Sequence, residues 1–388
     1  MGDTAGVPVL ALNAGSSSLK FGLYLVNATG SRMLLTGNAQ MGKGGPAAFE
    51  ARNVDGKVLD SNPAPIREPH DAIGRIAALL SAQGMPAPAA VGHRIVHGGR
   101  LCRDHTLIDA DVMRHLEGAS VFAPLHVPPA LALVRAAQER FAGAAQVACL
   151  DTAFHAGMPE VARTLAIPRE LRDQGIERYG FHGLSCESIV RQLGSELPRR
   201  LVIAHLGHGA SVTAVADGRT IDTSMGLTPS GGVIMSTRCG DIDPGVLLVL
   251  VRKFGFDTAR LEALIDQRSG LVGISGISGD MRELHAACAA NVDACLAIAM
   301  FCYSVRKQVA AMAAVLGGID LLVFTGGIGE NDAAVRAEIV EGLKGVGAGA
   351  AVRVMPAQED ERIAWHSWRL TSESRRVPAG STGAHHRP

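Results

Sequence analysis

The chain has 388 residues, of which 47% are hydrophobic, and this length suits two domains rather than one. Lys and Arg total 37, as do Asp and Glu, so the formal net charge is zero and no electrostatic grip on nucleic acid or a membrane is indicated. MGDTAGVPVL lacks the features of a secretory signal, and no stretch approaches the roughly 20 apolar residues of a membrane span. We therefore predict a cytoplasmic protein without nucleic-acid or membrane partners.

The seven cysteines are scattered and contain no C-x-x-C pair. This pattern argues against a disulfide framework and against a zinc site, and it fits a reducing compartment. Cys288, Cys295 and Cys302 recur every seven residues in an Ala-rich segment from about Arg282 to Leu316. The spacing predicts one helix with a packed cysteine face.

Apolar runs bounded by glycine alternate with helix-like segments along the chain, which is typical of an α/β protein. The predicted strands are VLALNAG, AVGHRIVHGG, AAQVACLDTAFH, LVIAHLGHG and LLVFTGGIGEN. Helices are predicted at PPALALVRAAQERF, DPGVLLVLVRKFG and NDAAVRAEIVEGL, the last capped by Asn331 or Asp332.

Two segments, LALNAGSSSLKFGLYLVNATG and VIAHLGHGASVTAVADG, repeat the order strand, small-residue turn, strand and second turn. Small residues let backbone N–H groups approach an anion, and Lys20 adds charge, so the first turn suits a phosphate as well as it suits a plain tight turn. The P-loop motif, HExxH and GxSxG are all absent from the sequence. A phosphate-binding hairpin without a P-loop favours the actin-like ATPase architecture, with FTGGIGEN as the turn near adenosine.

Ten motifs then stand in the order found in the acetate kinase family, which the chain resembles from about Val9 to Ile363. They are ALNAGSSSLKFGLY, GHRIVHGG, APLH, DTAFHAGMPE, RYGFHGLS, HLGHGASV, IDTSMGLTPSGG, TRCGDIDPG, SGLVGISGISGDMREL and FTGGIGEN. The resemblance implies an α/β fold of two actin-like (RNase H-like) domains facing a cleft, residues 1–150 rejoined by about 360–388, and residues 151–359. It also implies reversible phosphoryl transfer from ATP to acetate by a Mg²⁺-dependent homodimer, with Mn²⁺ as an alternative metal.

The resemblance assigns roles to individual residues. The implied catalytic residues are Arg94, Asp151, His182 and Arg238. The implied wall around the acetate methyl group consists of Val96, Leu125 and Pro229. Arg94 is also implied to bind the substrate. The implied metal-site residues are Asn13 and Glu359, with Glu361 close by in the same segment. The implied nucleotide contacts are Ser16, Ser18, Lys20, His205, Gly207, His208, Gly209, Ser211, Asp280, Met281, Arg282, Gly327, Ile328, Gly329 and Asn331.

The chemistry of the implied acceptor agrees with these residue types. A carboxylic acid with a pKa near that of Glu, about 4.3, is ionised at neutral pH and needs no general base. The obstacle is repulsion between two anions, which planar, always charged arginines are suited to relieve. A sugar kinase would instead need a base for a hydroxyl group, a role that Asp151 also permits.

Several positions depart from the family pattern. His208 stands where asparagine is usual, Cys186 where histidine is usual, Val127 where asparagine is usual, and Ser230-Gly231 where Leu-Glu is usual. These changes leave open a propionate or butyrate kinase, a different phosphoryl donor such as pyrophosphate, and a weakly catalytic ATP-binding sensor. The arginines on the carboxylate side argue against the sensor.

Overall fold

The computed structural model describes residues 6–15, 18–42, 48–345 and 349–376. The described chain falls into two compact units, divided between Leu150 and Asp151 and again between Gln358 and Glu359. The first unit thus joins the N-terminal part of the chain to the C-terminal helix, and the second consists of the residues between.

The strands, in chain order, are β1 Val7–Ala14, β2 Ser18–Asn27, β3 Gly30–Gln40, β4 Phe49–Asn53, β5 Val58–Asn62, β6 Ala90–Ile95, β7 Thr106–Leu107, β8 Ala145–Leu150, β9 Arg200–Leu206, β10 Ala210–Ala216, β11 Arg219–Thr223, β12 Leu321–Thr325 and β13 Ala351–Val354. The α-helices are α1 Pro69–Ala82, α2 Ala110–Gly118, α3 Val127–Arg140, α4 Glu160–Arg163, α5 Arg169–Arg172, α6 Gly183–Leu193, α7 Pro244–Phe254, α8 Thr258–Gln267, α9 Gly270–Ser275, α10 Met281–Ala287, α11 Val292–Leu316, α12 Gly326–Asn331, α13 Ala333–Glu341 and α14 Glu359–Arg376. The five predicted strands are confirmed, and Asp332 caps α13 by accepting a hydrogen bond from the Val335 N–H.

The first unit contains an eight-stranded sheet in the order β5-β4-β3-β2-β1-β6-β8-β7. Val9, Leu10, Ala11 and Leu12 of β1 are all buried, as expected for a strand whose sheet is covered on both faces. Helices α1 and α3 share a hydrophobic cluster with β1 and β2. Helix α14 packs so closely on β6 that a Cβ atom at Gly92 would lie 2.2 Å from Ser367 Oγ, and this packing fixes the start of α14 relative to β1.

The second unit contains a five-stranded sheet in the order β11-β10-β9-β12-β13. Helix α6 packs on one part of this sheet through a cluster that includes Cys186, Ile189, Leu201 and Val323. The long helix α11 contacts β9, β10 and β11. Cys186 therefore lies in a hydrophobic core.

The two sheets share one strand pattern. In each, three antiparallel strands formed by consecutive hairpins are followed by two parallel strands, as in β3-β2-β1-β6-β8 and β11-β10-β9-β12-β13. The hairpin repeat in the sequence is confirmed, since β1 pairs with β2 and β9 with β10. Two α/β units that share this five-strand pattern confirm the predicted fold class.

The prediction of one helix with three cysteines on one face is wrong. Helix α10 ends at Ala287, and α11 begins at Val292 because the Asn291 side chain accepts from the N–H groups of Asp293 and Ala294 as an N-cap. The sulfur atoms of Cys288 and Cys295 are joined in a disulfide, which the scattered cysteine pattern had not indicated. Only Cys302 of the three is buried in the core. Across the described ranges, no helix has the length and apolarity needed to cross a membrane.

Candidate active site

The first group of predicted site residues gathers at the end of β1 in the first unit. Asn13 is buried on β1, and its side-chain Nδ2 donates to Glu359 Oε2 at 2.9 Å and to Asp360 Oδ1 at 2.8 Å. Both carboxylates lie in the first turn of α14, where acidic residues complement the helix dipole. The Glu361 side chain has a different partner, because its Oε1 accepts from Ser31 Oγ at 2.7 Å. The structure thus places Glu359, rather than Glu361, beside Asn13.

Asp360 is a candidate site residue, because its side chain accepts from Asn13 beside Glu359, and sequence reasoning missed it. Burial raises its pKa, and the nearby negative charge of Glu359 adds to the effect, whereas the Asn13 hydrogen bond and the charges of Lys20 and Arg94 oppose it. A buried carboxylate beside a second carboxylate favours a bound cation, and oxygen ligands are those that Mg²⁺ prefers. The side chains present therefore fit a divalent metal. The missed signal was the adjacent Glu-Asp pair at the helix start.

Arg94 and Lys20 supply positive charge in the same unit. Arg94 lies on β6, one residue after the last residue that pairs with β1. Its Nη1 donates to the Ala14 carbonyl at 3.1 Å. Lys20 of β2 is exposed and pairs with Asn13 across the hairpin. Ser18 closes the hairpin turn because its carbonyl accepts from the Gly15 N–H at 2.7 Å, whereas Ser16 lies outside the described residues.

Of the predicted methyl-group wall, Val96 follows β6 and is buried, whereas Leu125 is 40% exposed. Both belong to the first unit, and Pro229 is buried in the second.

His182 of the second unit has an unusual backbone conformation at the start of α6. Its φ of 58° and ψ of 26° are left-handed, a rare state for a non-glycine residue and one that clusters at functional sites. The next residue, Gly183, donates its N–H to the Asp151 carbonyl at 2.8 Å, and a Cβ atom there would lie only 2.3 Å from that oxygen. Only glycine fits this position, so the loop holds His182 and the fully buried Asp151 next to each other.

The His182 ring is held by two further contacts. Its Nδ1 is hydrogen-bonded to Ser211 Oγ at 2.9 Å, and the ring stacks on His205 with a centroid distance of 4.1 Å. His205 is itself held by Ser185 Oγ, 2.8 Å from its Nδ1. Ser185 was not predicted, although it lies in the RYGFHGLS motif. These contacts fix the plane of the His182 ring.

Arg238 approaches the same point as His182. A Cβ atom at Gly209 would lie 3.1 Å from His182 Nε2 and 3.3 Å from Arg238 Nη1. Arg238 Nη1 also donates to the Pro229 carbonyl at 3.1 Å. Two nitrogen-bearing side chains therefore meet beside the β9–β10 turn, where backbone N–H groups and positive charge favour an anion.

His208 occupies the tip of this turn, between Gly207 and Gly209. Partial desolvation lowers its pKa below the ordinary 6.5, and the positive charge of Arg238 lowers it further. The imidazole is exposed, and its lowered pKa favours the neutral form at pH 7.

Gly327, Ile328, Gly329 and Asn331 lie in α12, which begins directly after β12, so the predicted glycine turn is a short helix. A Cβ atom at Gly207 would lie 3.8 Å from the Gly327 N atom, so the β9–β10 turn approaches the start of α12. Asn331 Nδ2 donates to the Gly327 carbonyl at 2.9 Å. His285 Nε2 lies 2.8 Å from Asp332 Oδ2 and links α10 to the residue that follows α12.

Helix α10 carries three further predicted residues at its start. Asp280 caps the helix, Met281 is buried, and Arg282 is exposed. The Arg282 side chain donates to both carboxylate oxygens of Asp280 at 3.0 and 2.5 Å, and this pairing lowers the pKa of Asp280 to about 2. Gly329 is buried against β9, and Ile328 is half-buried.

Comparisons with known proteins identify the family to which the chain belongs. The model of the acetokinase family matches residues 8–362. An acetate kinase of Deinococcus deserti is 46% identical over 86% of this chain and 85% of its own length, and one of Rhodopseudomonas palustris is 38% identical over 95% and 99%.

Two solved structures of acyl kinases are also similar to this chain. A propionate kinase from Francisella tularensis subsp. tularensis SCHU S4 is 33% identical with a TM-score of 0.85, covering 94% of this chain and 100% of that one. An acetate kinase from Porphyromonas gingivalis is 32% identical with a TM-score of 0.82, covering 94% and 100%. The predicted family is thus confirmed, and the chain belongs to the acetokinase family, a family of phosphoryl-transferring enzymes.

Proposed function

We propose that this chain transfers the γ-phosphoryl group of ATP to acetate, reversibly, giving acetyl phosphate and ADP. An acetate oxygen attacks the phosphorus while the bond to the bridging oxygen breaks, and the bonding electron pair leaves with ADP. The observation that carries the proposal is the convergence of His182 Nε2 and Arg238 Nη1 beside Gly209.

The charges of the site suit this reaction. Because acetate is already an anion at neutral pH, the chain needs no base and must instead offset negative charge. Arg238 and His182 would stabilise the transferring phosphoryl group, and Arg94 would bind the acceptor carboxylate. Arginine suits these roles because its fork stays charged and matches carboxylate and phosphate oxygens. Asp151, buried next to His182, would organise the surroundings of the reacting atoms.

Asn13, Glu359 and Asp360 would hold Mg²⁺, or Mn²⁺ in its place. The bound ion would neutralise charge on the phosphate chain of the donor. The β9–β10 turn at Gly207–Gly209 and the start of α12 at Gly327 would receive the nucleotide.

Propionate is a second candidate substrate. A structurally similar family member is a propionate kinase, and Leu125 of the proposed methyl-group wall is 40% exposed. One methylene group changes the transition-state free energy by only about 1–3 kcal/mol in such a pocket. We therefore expect acetate and propionate to react, and butyrate to react more slowly.

The test is formation of an acyl phosphate, trapped with hydroxylamine, from MgATP and each of the three acids. Arg94→Ala should abolish most of the product. Arg114→Ala is the matched control, because Arg114 is 68% exposed and pairs only with Asp111 among the ion pairs of the described residues. It should leave the rate unchanged.

Each other outcome has a separate meaning. Product from MgPPi but not from MgATP would show that pyrophosphate is the phosphoryl donor, and the chain would still be an acyl kinase. ATP binding without product from any acid would favour the weakly catalytic sensor. Equal losses in Arg94→Ala and Arg114→Ala would contradict the role given to Arg94.

We also propose that the chain acts as a homodimer in the cytoplasm, where ATP is supplied. Helix α7 supports the dimer, because none of its residues is buried although most of its side chains are apolar. On α11, Val292, Leu296, Met300 and Tyr303 form an exposed stripe at helical spacing. Large exposed apolar faces of this kind mark association surfaces. Light scattering after size exclusion should give twice the 40.4 kDa chain mass, and Leu248→Lys should reduce it.

A further inference from the structure

His208 stands at a position with unusual surroundings. Strands β9 and β10 pair up to Leu206 and Ala210, which leaves only Gly207, His208 and Gly209 in the hairpin loop. The Gly207 N–H donates to the Gly209 carbonyl at 2.9 Å and closes the loop tightly. The only side chain of the loop is therefore an imidazole, exposed at its tip.

Arg238, His182 and His205 lie around this tip within the second unit. Arg238 approaches from the loop before α7, and the Ser236 N–H of that loop donates to the His208 carbonyl at 3.3 Å. His182 approaches from the start of α6, and His205 stacks on His182 from β9. Arg238 is the charged group that lowers the pKa of His208.

We propose that His208 binds the phosphate chain of the donor in its protonated form, so that donor binding takes up one proton from solution at this side chain. The inference rests on the proposed function, because it places the donor phosphates at the β9–β10 turn. It makes His208 a residue that determines how donor affinity depends on pH.

The physical reason is that the electrostatic effect on the pKa of His208 changes sign when the donor binds. In the free chain, desolvation and the Arg238 charge lower the pKa of His208, so the neutral ring is favoured at pH 7. A phosphate chain brings several negative charges to the same place, and opposite charge within about 4–6 Å raises the pKa of a histidine. The bound state then holds more protons than the free state. Donor affinity must therefore rise as pH falls between the two pKa values, and Kd changes by at most about tenfold per pH unit.

The test is calorimetric titration of the full chain with MgATP at pH 6.5 and pH 8, in two buffers with different ionisation enthalpies. Buffer dependence of the heat gives the number of protons taken up. The nucleotide's own proton change is common to all variants and cancels in their difference. The variants are His208→Asn, which cannot be protonated, and His208→Lys, which keeps a permanent charge. His70→Asn is the matched control, because His70 is exposed and pairs with Glu139 at 3.0 Å.

We expect the wild type and His70→Asn to take up more protons than His208→Asn, by up to one per site, and to bind more tightly at pH 6.5 than at pH 8. His208→Lys should bind at both pH values without the extra proton. Equal proton uptake by the wild type and His208→Asn would overturn the inference, while acetyl phosphate formation would still support the kinase. Failure of both MgATP and MgPPi to bind would overturn the proposed function, and this inference with it.

Discussion

Gly209→Ala tests whether His182 and Arg238 act together on the phosphoryl group. The new Cβ atom would lie 3.1 Å from His182 Nε2 and 3.3 Å from Arg238 Nη1, closer than ordinary contacts of about 3.5–4.0 Å. Both side chains must therefore move by a few tenths of an ångström. Because misplacement of about 1 Å can cost on the order of 100-fold in rate, we expect kcat to fall by roughly 10-fold or more.

Gly74→Ala is the matched comparison. Its Cβ atom, on helix α1 of the first unit, would meet no heavy atom within 4 Å. Its kcat should not change. Steady-state rates with MgATP and acetate measure both variants, and the loss in Gly209→Ala should lie in kcat rather than in the acetate KM. Equal losses in the two variants, or a normal kcat in Gly209→Ala, would refute the reasoning.

Three further results are expected. Gly183→Ala should lower the free energy of unfolding by about 1–3 kcal/mol, since its Cβ atom would overlap the Asp151 carbonyl oxygen; an unchanged urea midpoint would contradict this. Burial lowers the pKa of His155 from 6.5 to about 4, so the folded chain stays neutral there while the unfolded chain takes up a proton. Stability should therefore fall by up to about 1.4 kcal/mol per pH unit as pH drops from about 6.5 toward 4, and equal urea midpoints at pH 7 and pH 5 would argue against it. Asp360→Asn should raise the Mg²⁺ concentration for half-maximal rate by about 10- to 100-fold, whereas exposed Glu373→Gln should leave it unchanged; equal responses would remove Asp360 from the metal site.

The local features of the fold could be predicted from the sequence because neighbours in the chain determine them. The β9–β10 hairpin follows from an apolar run, a small-residue turn and a second apolar run. The start of α13 follows from Asp332, whose short side chain caps a helix wherever it precedes one. The proposed roles of Arg94 and His182 came from the family motifs, because no local pattern contains them.

The features that the sequence did not predict depend on contacts between residues far apart in the chain. Asn13 meets Asp360 across 347 positions of the chain, and that contact exists only because α14 packs closely on β6 at Gly92. The seven-residue cysteine spacing suggested one continuous helix, but Asn291 begins a new one and brings Cys288 back to Cys295. A sequence pattern describes what each segment can form. Which distant side chains share a site depends on backbone distances that only the packed sheets and helices set.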